Sequence, residues 1–127
     1  MMDKVLRDAL EPILNDLRRG GLNDPRVEDR DWTGDPERPS AMLFSPDGSG
    51  SGVSVARSAA ASERIAAAAD QVQEWAIEHQ LWGHAPTNWP RCPHHPRNHP
   101  LLPTSLDQVA VWVCPTDRAA VAPIGRL

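Results

Sequence analysis

Residues 89–100 read Trp-Pro-Arg-Cys-Pro-His-His-Pro-Arg-Asn-His-Pro, and the only other cysteine of the chain stands in Cys114-Pro115. Four potential zinc ligands in this part of the sequence are each followed directly by proline: Cys92, His95, His99 and Cys114. Closed structural zinc sites take Cys and His ligands in a tetrahedron. The spacing Cys-x2-His-x3-His-x14-Cys therefore predicts a small structural Zn²⁺ site that holds the last third of the chain together.

The first ligand pair, Cys92-Pro-x-His95, resembles the Cys-Pro-x-Cys knuckle of rubredoxin-like and zinc-ribbon sites, with histidine in place of the second cysteine. Cys114 directly follows the apolar segment 109–113, which predicts a β-strand, and residues 119–122 are its candidate hairpin partner. A loop and a strand before Cys114 can bring this cysteine back to the first turn. We therefore expect a zinc-ribbon-like hairpin in this region.

Two neighbouring side chains compete for places in this ligand set. Proline pushes the residue before it into an extended conformation and stiffens a loop, and this regularity favours His95 over His94. Asp117 has knuckle spacing from Cys114, although carboxylates are less usual in closed sites. Two interpretations without metal also stay open: a disulfide between Cys92 and Cys114, or unrelated free cysteines beside a histidine-rich surface loop.

The composition limits the class of protein. The 127 residues suffice for one domain, or for one domain with a small appendage. The formal net charge of −4 argues against a general nucleic-acid coat or a binder of anionic membranes. We predict no membrane span, and the charged N-terminus does not resemble a secretory signal peptide. We therefore expect a cytoplasmic protein, in which two cysteines are thiols or metal ligands more often than a disulfide.

The N-terminal part predicts a helix over residues 3–19, followed by a loop over residues 20–40. Gly20 and Gly21 end the helix, and Pro12 inside it predicts a kink or a short first segment. We expect Trp32 to anchor the loop to the core. The apolar stripe of the helix consists of Leu6, Leu10, Ile13, Leu14 and Leu17.

The middle of the chain predicts a β-hairpin and a long helix. Residues 41–44 and 53–55 suit short strands on either side of a Gly/Ser-rich loop, which lacks the Gly-Lys-Ser/Thr ending of a phosphate loop. Residues 58–82 form the long, alanine-rich helix, with Ser58 or Ser62 as its cap and Gly83 as its terminator. Its apolar stripe consists of Ile65, Ala69, Val72 and Ala76.

These elements predict an α+β fold: an N-terminal helix, a β-hairpin, a long alanine-rich helix and a C-terminal zinc-ribbon-like hairpin. We divide it into a helical and hairpin domain, residues 1–85, and a proline-rich zinc-ribbon-like module, residues 86–127. The motif Cys-Pro-x-His-Pro-x-x-His-Pro, with Trp-x-Cys-Pro after it, resembles a group of small uncharacterised actinobacterial proteins. That resemblance supports the metal motif and implies no activity.

Three functional hypotheses follow. The first is a non-enzymatic protein-interaction or assembly component, such as part of a virion or a similar large particle, in which a structural zinc site shapes a surface for a protein partner. The second is a nucleic-acid-associated zinc-binding regulator that contacts phosphates through Arg91, Arg97, Arg118 and Arg126. The third is a small zinc hydrolase, which needs an open coordination position.

Overall fold

The computed structural model describes residues 2–78, 89–97 and 99–127. These residues form a mixed α+β fold, as predicted, with two helices and two antiparallel three-stranded sheets in the orders β1-β2-β3 and β4-β5-β6. The elements are α1 Lys4–Arg19, β1 Arg26–Asp29, β2 Ser40–Phe44, β3 Gly50–Ser54, α2 Ala61–Ala76, β4 Leu102–Leu106, β5 Val109–Val113 and β6 Ala120–Pro123.

Helix α1 is continuous across Pro12, so the expectation of a short first segment is wrong. It begins after Asp3, whose side chain accepts a hydrogen bond from the backbone N–H of Val5, and it ends at Gly20 as predicted. Its predicted stripe is buried except for Leu14, which is half-buried, and the polar Asp16 is buried beside it.

The first sheet contains a strand that the sequence analysis assigned to a loop. Strand β1 pairs with β2 in antiparallel register, with Val27 opposite Leu43. Trp32 also differs from expectation, because it is 48% exposed rather than anchored in the core. Its indole N–H donates to the carbonyl of Ala41 over 3.0 Å, so this ring packs on the sheet.

The predicted hairpin is present, but β3 begins within the Gly/Ser-rich segment that we assigned to the loop. A Cβ atom at Gly50 would lie 2.7 Å from Cε1 of Phe44, and one at Gly52 would lie 2.7 Å from Cε2 of Trp32. Both aromatic rings therefore lie directly on glycine backbone. This cover gives a glycine-rich strand the side-chain packing that it cannot supply itself.

Helix α2 begins later than predicted and has no side-chain cap. Its N-cap is Ala60, so neither Ser58 nor Ser62 caps it, and the hydroxyl of Ser62 instead hydrogen-bonds that of Ser105 at 2.7 Å. Residues 79–82, together with the predicted terminator Gly83, lie outside the described residues. The predicted stripe of α2 is buried, except that Ile65 is half-buried.

The second sheet includes the predicted strand β5 and its partner β6, and also β4, which the sequence analysis missed. Strands β4 and β5 are joined by Asp107 and Gln108, whose φ angles are 50° and 64°. Positive φ at both central residues is the requirement of the two-residue turn that matches the twist of a hairpin.

A single cluster of buried residues takes in both helices and both sheets, and it includes Leu10, Leu43, Trp75 and Trp112. The two sheets are each hydrogen-bonded to α2. On one side, the Gln71 side chain accepts from the backbone N–H of Ser54 at 3.0 Å and donates to its carbonyl at 2.8 Å. The division that we predicted near residue 85 falls outside the described residues and stays a prediction.

Buried Asp16 connects α1 to the C-terminal segment. Its Oδ2 accepts hydrogen bonds from the Trp112 indole N–H at 2.8 Å and from the backbone N–H of Gly125 at 2.7 Å. Its Oδ1 accepts from the backbone N–H of Leu127 at 3.0 Å. Because a buried carboxylate needs donors for its oxygens, these three contacts satisfy it in the core.

Candidate metal centre

The loop that carries three of the four candidate ligands is closed at its base. The backbone N–H of Leu101 donates to the carbonyl of Pro90 at 2.7 Å, and Arg91 and Pro100 form an antiparallel bridge. The buried Gln73 side chain of α2 donates to the carbonyls on both sides of the loop, at 3.0 Å to Trp89 and 2.6 Å to Leu101. The loop therefore starts and ends at fixed points of the core.

The four candidate ligands come from three short segments. Cys92 and His95 belong to one turn, in which the His95 N–H donates to the Cys92 carbonyl at 3.2 Å. His99 lies next to the base of the loop, and Cys114 directly follows β5. Both cysteines are free and completely buried, while both histidines are half-buried.

The structure brings one ligand atom from each of these residues within 4.8 Å of the others. His95 Nδ1 lies between the two sulfurs, 3.6 Å from Cys92 Sγ and 3.5 Å from Cys114 Sγ. His99 Nε2 lies 4.0 Å from Cys114 Sγ. Ideal tetrahedral coordination with ordinary Zn–S and Zn–N bonds gives S···N separations of about 3.6 Å. The measured separations therefore fit a zinc ion.

The contacts of the His99 ring favour the tautomer that a metal ligand needs. Its Nδ1 lies 3.2 Å from the carbonyl oxygen of Pro100, which can only accept, so Nδ1–H is the donor. In a neutral ring Nε2 then carries the lone pair, and it lies 3.1 Å from the hydroxyl of Thr116. A hydrogen bond from the non-ligating ring nitrogen is the usual way of orienting a metal-binding histidine.

The turn after β5 surrounds the sulfur of Cys114 with backbone donors. The N–H groups of Thr116 and Asp117 both hydrogen-bond this sulfur. The pKa of the Cys114 thiol is nevertheless raised, chiefly because burial disfavours the thiolate, while these two N–H groups act in the opposite direction. Bound cations deprotonate a coordinating thiol, so the same two donors would stabilise Cys114 as a thiolate ligand.

The structure pairs the two competing side chains with one another. His94 Nδ1 lies 3.5 Å from Asp117 Oδ2, and both side chains are substantially exposed. Asp117 accepts from the backbone N–H of Ala119, which is the main reason why the pKa of its carboxyl is lowered. Neither residue belongs to the cluster of four ligand atoms.

Two contributors to this centre were missed by the sequence analysis. Gln73 anchors the loop and Thr116 contacts His99, but both are common polar residues without a motif. A glutamine beside the buried stripe of α2 was the only available signal for the first. The four arginines of the nucleic-acid hypothesis, Arg91, Arg97, Arg118 and Arg126, are all exposed.

The chain matches no protein-family model, and comparison with curated proteins and with solved structures gave no significant match. The resemblance to actinobacterial proteins therefore stays a prediction. Among the described residues, no helix combines the length and the apolar character needed to cross a membrane.

Proposed function

We propose that Cys92, His95, His99 and Cys114 bind one structural Zn²⁺ in a zinc-ribbon-like module, and that the protein is a non-enzymatic interaction or assembly component. The convergence of four ligand atoms within 4.8 Å carries this proposal. The ligands come from the loop before the second sheet and from the turn after its central strand, so one ion would tie these segments together. Structural zinc ions commonly stabilise a fold by joining separate segments in this way.

The ligand count supports a structural role over hydrolysis. A catalytic zinc keeps a position for water, whereas four protein ligands fill a tetrahedron. The carboxylate of Asp117 lies beside the cluster and is already engaged: it accepts from the backbone N–H of Ala119 and from the Cys114 side chain, and His94 Nδ1 lies 3.5 Å from its Oδ2. A zinc hydrolase is therefore the weaker proposal for this chain.

The metal is tested by elemental analysis of purified protein together with single substitutions. We expect one zinc per chain, lost or greatly weakened in Cys92→Ser, Cys114→Ser, His95→Ala and His99→Ala. His94→Ala is the matched control, because this neighbouring histidine lies outside the cluster, and it should keep the zinc. Protein that carries no metal, or that mass spectrometry finds with a Cys92–Cys114 disulfide, contradicts the proposal.

The interaction role needs a separate measurement. Native size analysis of the protein from its producing cells, without overexpression, compares its apparent mass with that of the 13.9 kDa chain. We expect it in a complex larger than one chain. If the zinc-loaded protein runs as a single chain in cell extract and binds no partner, the metal site is supported and the assembly role is contradicted.

A further inference from the structure

The second sheet has two apolar faces, of which only one packs against the core cluster of the described residues. Because side chains alternate along a strand, Ala110 and Trp112 of β5 point into the core. The opposite face, here called the outer face, is formed by two antiparallel strands in register. The outer face consists of Leu102, Thr104 and Leu106 from β4 and Val109, Val111 and Val113 from β5.

The outer face is apolar where solvent usually selects polar residues. Leu102, Leu106 and Val109 are 43%, 45% and 47% exposed, and they are three of the four large hydrophobic residues that are exposed in the described part of the chain. Val111, which strand alternation places on the same face, is 8% exposed, so its neighbours in the sheet largely cover it. An antiparallel sheet with one solvated face normally alternates apolar and polar residues. This sheet instead has the composition of one that is covered on both sides.

The edges of the sheet disfavour a partner that adds a strand. The two edge strands carry Pro103 in β4 and Pro123 in β6. Proline has no N–H for a ladder, and its presence on edge strands blocks pairing with another chain. A partner of this sheet therefore contacts the outer face and not an edge.

The charges at the two ends of the outer face are opposite. Asp107 lies in the turn before β5, and Arg118 lies in the turn after it. The five residues of β5 separate these turns by about 17 Å. Neither Asp107 nor Arg118 has an ion-pair partner among the residues that the structure describes. A surface with an apolar centre and opposite charges at its ends is complementary to itself.

We propose that the outer face binds a second copy of this chain, with the two sheets packed face to face. A twofold axis within the interface, perpendicular to the strands, places Asp107 of each copy opposite Arg118 of the other. The alternative axis, parallel to the strands, would place Asp107 opposite Asp107 and Arg118 opposite Arg118. The charges thus select one of the two symmetric packings.

The size of the outer face predicts a weak dimer. The two strands of the outer face, spaced about 4.8 Å apart and about 17 Å long, have a footprint of roughly 160 Å². A standard stable interface buries about 800 Å² on each partner. The dimer should therefore form at micromolar or higher concentration, which suits a component whose assembly depends on its local concentration.

This inference rests on the proposed function in one respect: Arg118 belongs to the turn that carries the ligand Cys114. Metal content is therefore measured on every sample, so that the two proposals fail separately. A monomer with one zinc per chain overturns the dimer and keeps the metal site. A dimer without zinc keeps the outer face and overturns the metal site.

Sedimentation equilibrium from about 10 µM to about 1 mM tests the apolar centre. We expect reversible dimerisation, with a dissociation constant raised at least about tenfold by Val109→Lys, which buries an unpaired charge twice in a symmetric interface. Ala67→Lys adds the same charge to an exposed position of α2 and should leave the constant unchanged. A protein that is monomeric throughout this range, or a dimer indifferent to Val109→Lys, overturns the proposal.

A mixing experiment tests the proposed twofold axis and changes only charged residues in the two turns. Asp107→Arg alone and Arg118→Asp alone each place like charges opposite one another twice, and each should weaken the dimer by about tenfold. An equimolar mixture of the two variants restores two opposite pairs and should form the heterodimer at the original affinity. Mixtures that associate no better than the separate variants overturn the proposed packing. Glu11→Arg serves as a control for charge reversal elsewhere.

Discussion

Replacing Asp16 by alanine removes the acceptor of three donors inside the protein. The indole N–H of Trp112 and the backbone N–H groups of Gly125 and Leu127 all donate to this carboxylate over 2.7–3.0 Å. Because Asp16 is completely buried, no bulk water replaces it at these donors. The substitution therefore tests whether the C-terminal segment is held to α1 by this side chain.

The magnitude follows from the number of bonds. A hydrogen bond to a charged group contributes about 1.5–3 kcal/mol, and bonds that share one acceptor group add incompletely. We expect Asp16→Ala to reduce the free energy of unfolding by about 4–5 kcal/mol. Asp16→Asn keeps one acceptor oxygen, which can serve the two donors now bound to Oδ2, so its cost should be about 1.5–3 kcal/mol.

Urea unfolding followed by circular dichroism measures both free energies on metal-matched samples. A double-mutant cycle with Trp112→Phe isolates the indole contact, and we expect a coupling of about 1–2 kcal/mol. Glu11→Ala, which removes an exposed carboxylate from the same helix, is the control and should leave the unfolding midpoint unchanged. An Asp16→Ala protein within about 1 kcal/mol of the unmodified one would refute the reasoning.

Three further predictions concern other contacts. Gln73→Leu should lower the affinity for zinc in a chelator competition, because the loop of residues 90–101 loses both of its hydrogen bonds to α2. Gln71→Leu, which removes contacts of α2 with the first sheet only, should reduce stability and leave the zinc affinity unchanged. Equal zinc affinities for the two variants would contradict this prediction. Gln108→Gly should raise the free energy of unfolding by about 0.5–1 kcal/mol, because glycine adopts positive φ without steric cost. Urea unfolding measures this change, and a less stable variant would contradict the idea that the positive φ of Gln108 is strained. The guanidinium of Arg57 lowers the pKa of the Asp3 carboxyl below its usual value of 3.8. The stability that the Asp3 carboxylate contributes is therefore present above pH 3.8 and is lost as the pH falls through the lowered pKa. Asp3→Asn should therefore be less stable than the unmodified protein at neutral pH, with a difference that disappears in acid, and a difference that persists there would exclude the ion pair as its cause.

The sequence predicted the ligand cluster because its signal is local and regular. Each candidate ligand precedes a proline, and this regularity favours His95 over His94, in agreement with the cluster of four residues in the structure. Helix α1 was likewise visible from its apolar stripe, since a helical period needs only neighbouring residues. Pro12 did not shorten the helix, which continues through it to Arg19.

The strands that were missed are held by partners that sequence patterns do not reveal. Strand β1 has a single apolar residue, Val27, and its place depends on backbone pairing with β2. The first part of strand β3, residues 50–52, was assigned to a loop because its glycines have no side chains, and the ring that covers Gly52 belongs to Trp32. Strand β4 contains Pro103, which an edge strand tolerates and which pattern analysis takes as a break.

The polar anchors were missed for a similar reason. Asp16 lies next to Leu17 on the apolar side of α1, and a charged residue there was the available signal of a buried contact. Its donors lie about a hundred residues further along the chain, so no local pattern connects them. Gln73 has the same character, because its two acceptors are backbone carbonyls that any sequence provides.

The contact between Asp16 and the C-terminal segment also orders events during synthesis. Leu127 follows Asp16 by 111 residues, and ribosomes add about 5–20 residues per second, so roughly 6–20 s pass between the two. For that interval the nascent helix carries an apolar stripe and a carboxylate whose donors have not yet been made. The contacts of Asp16 can therefore form only after Leu127 has left the ribosome, and until then the apolar stripe of α1 is a surface to which chaperones can bind.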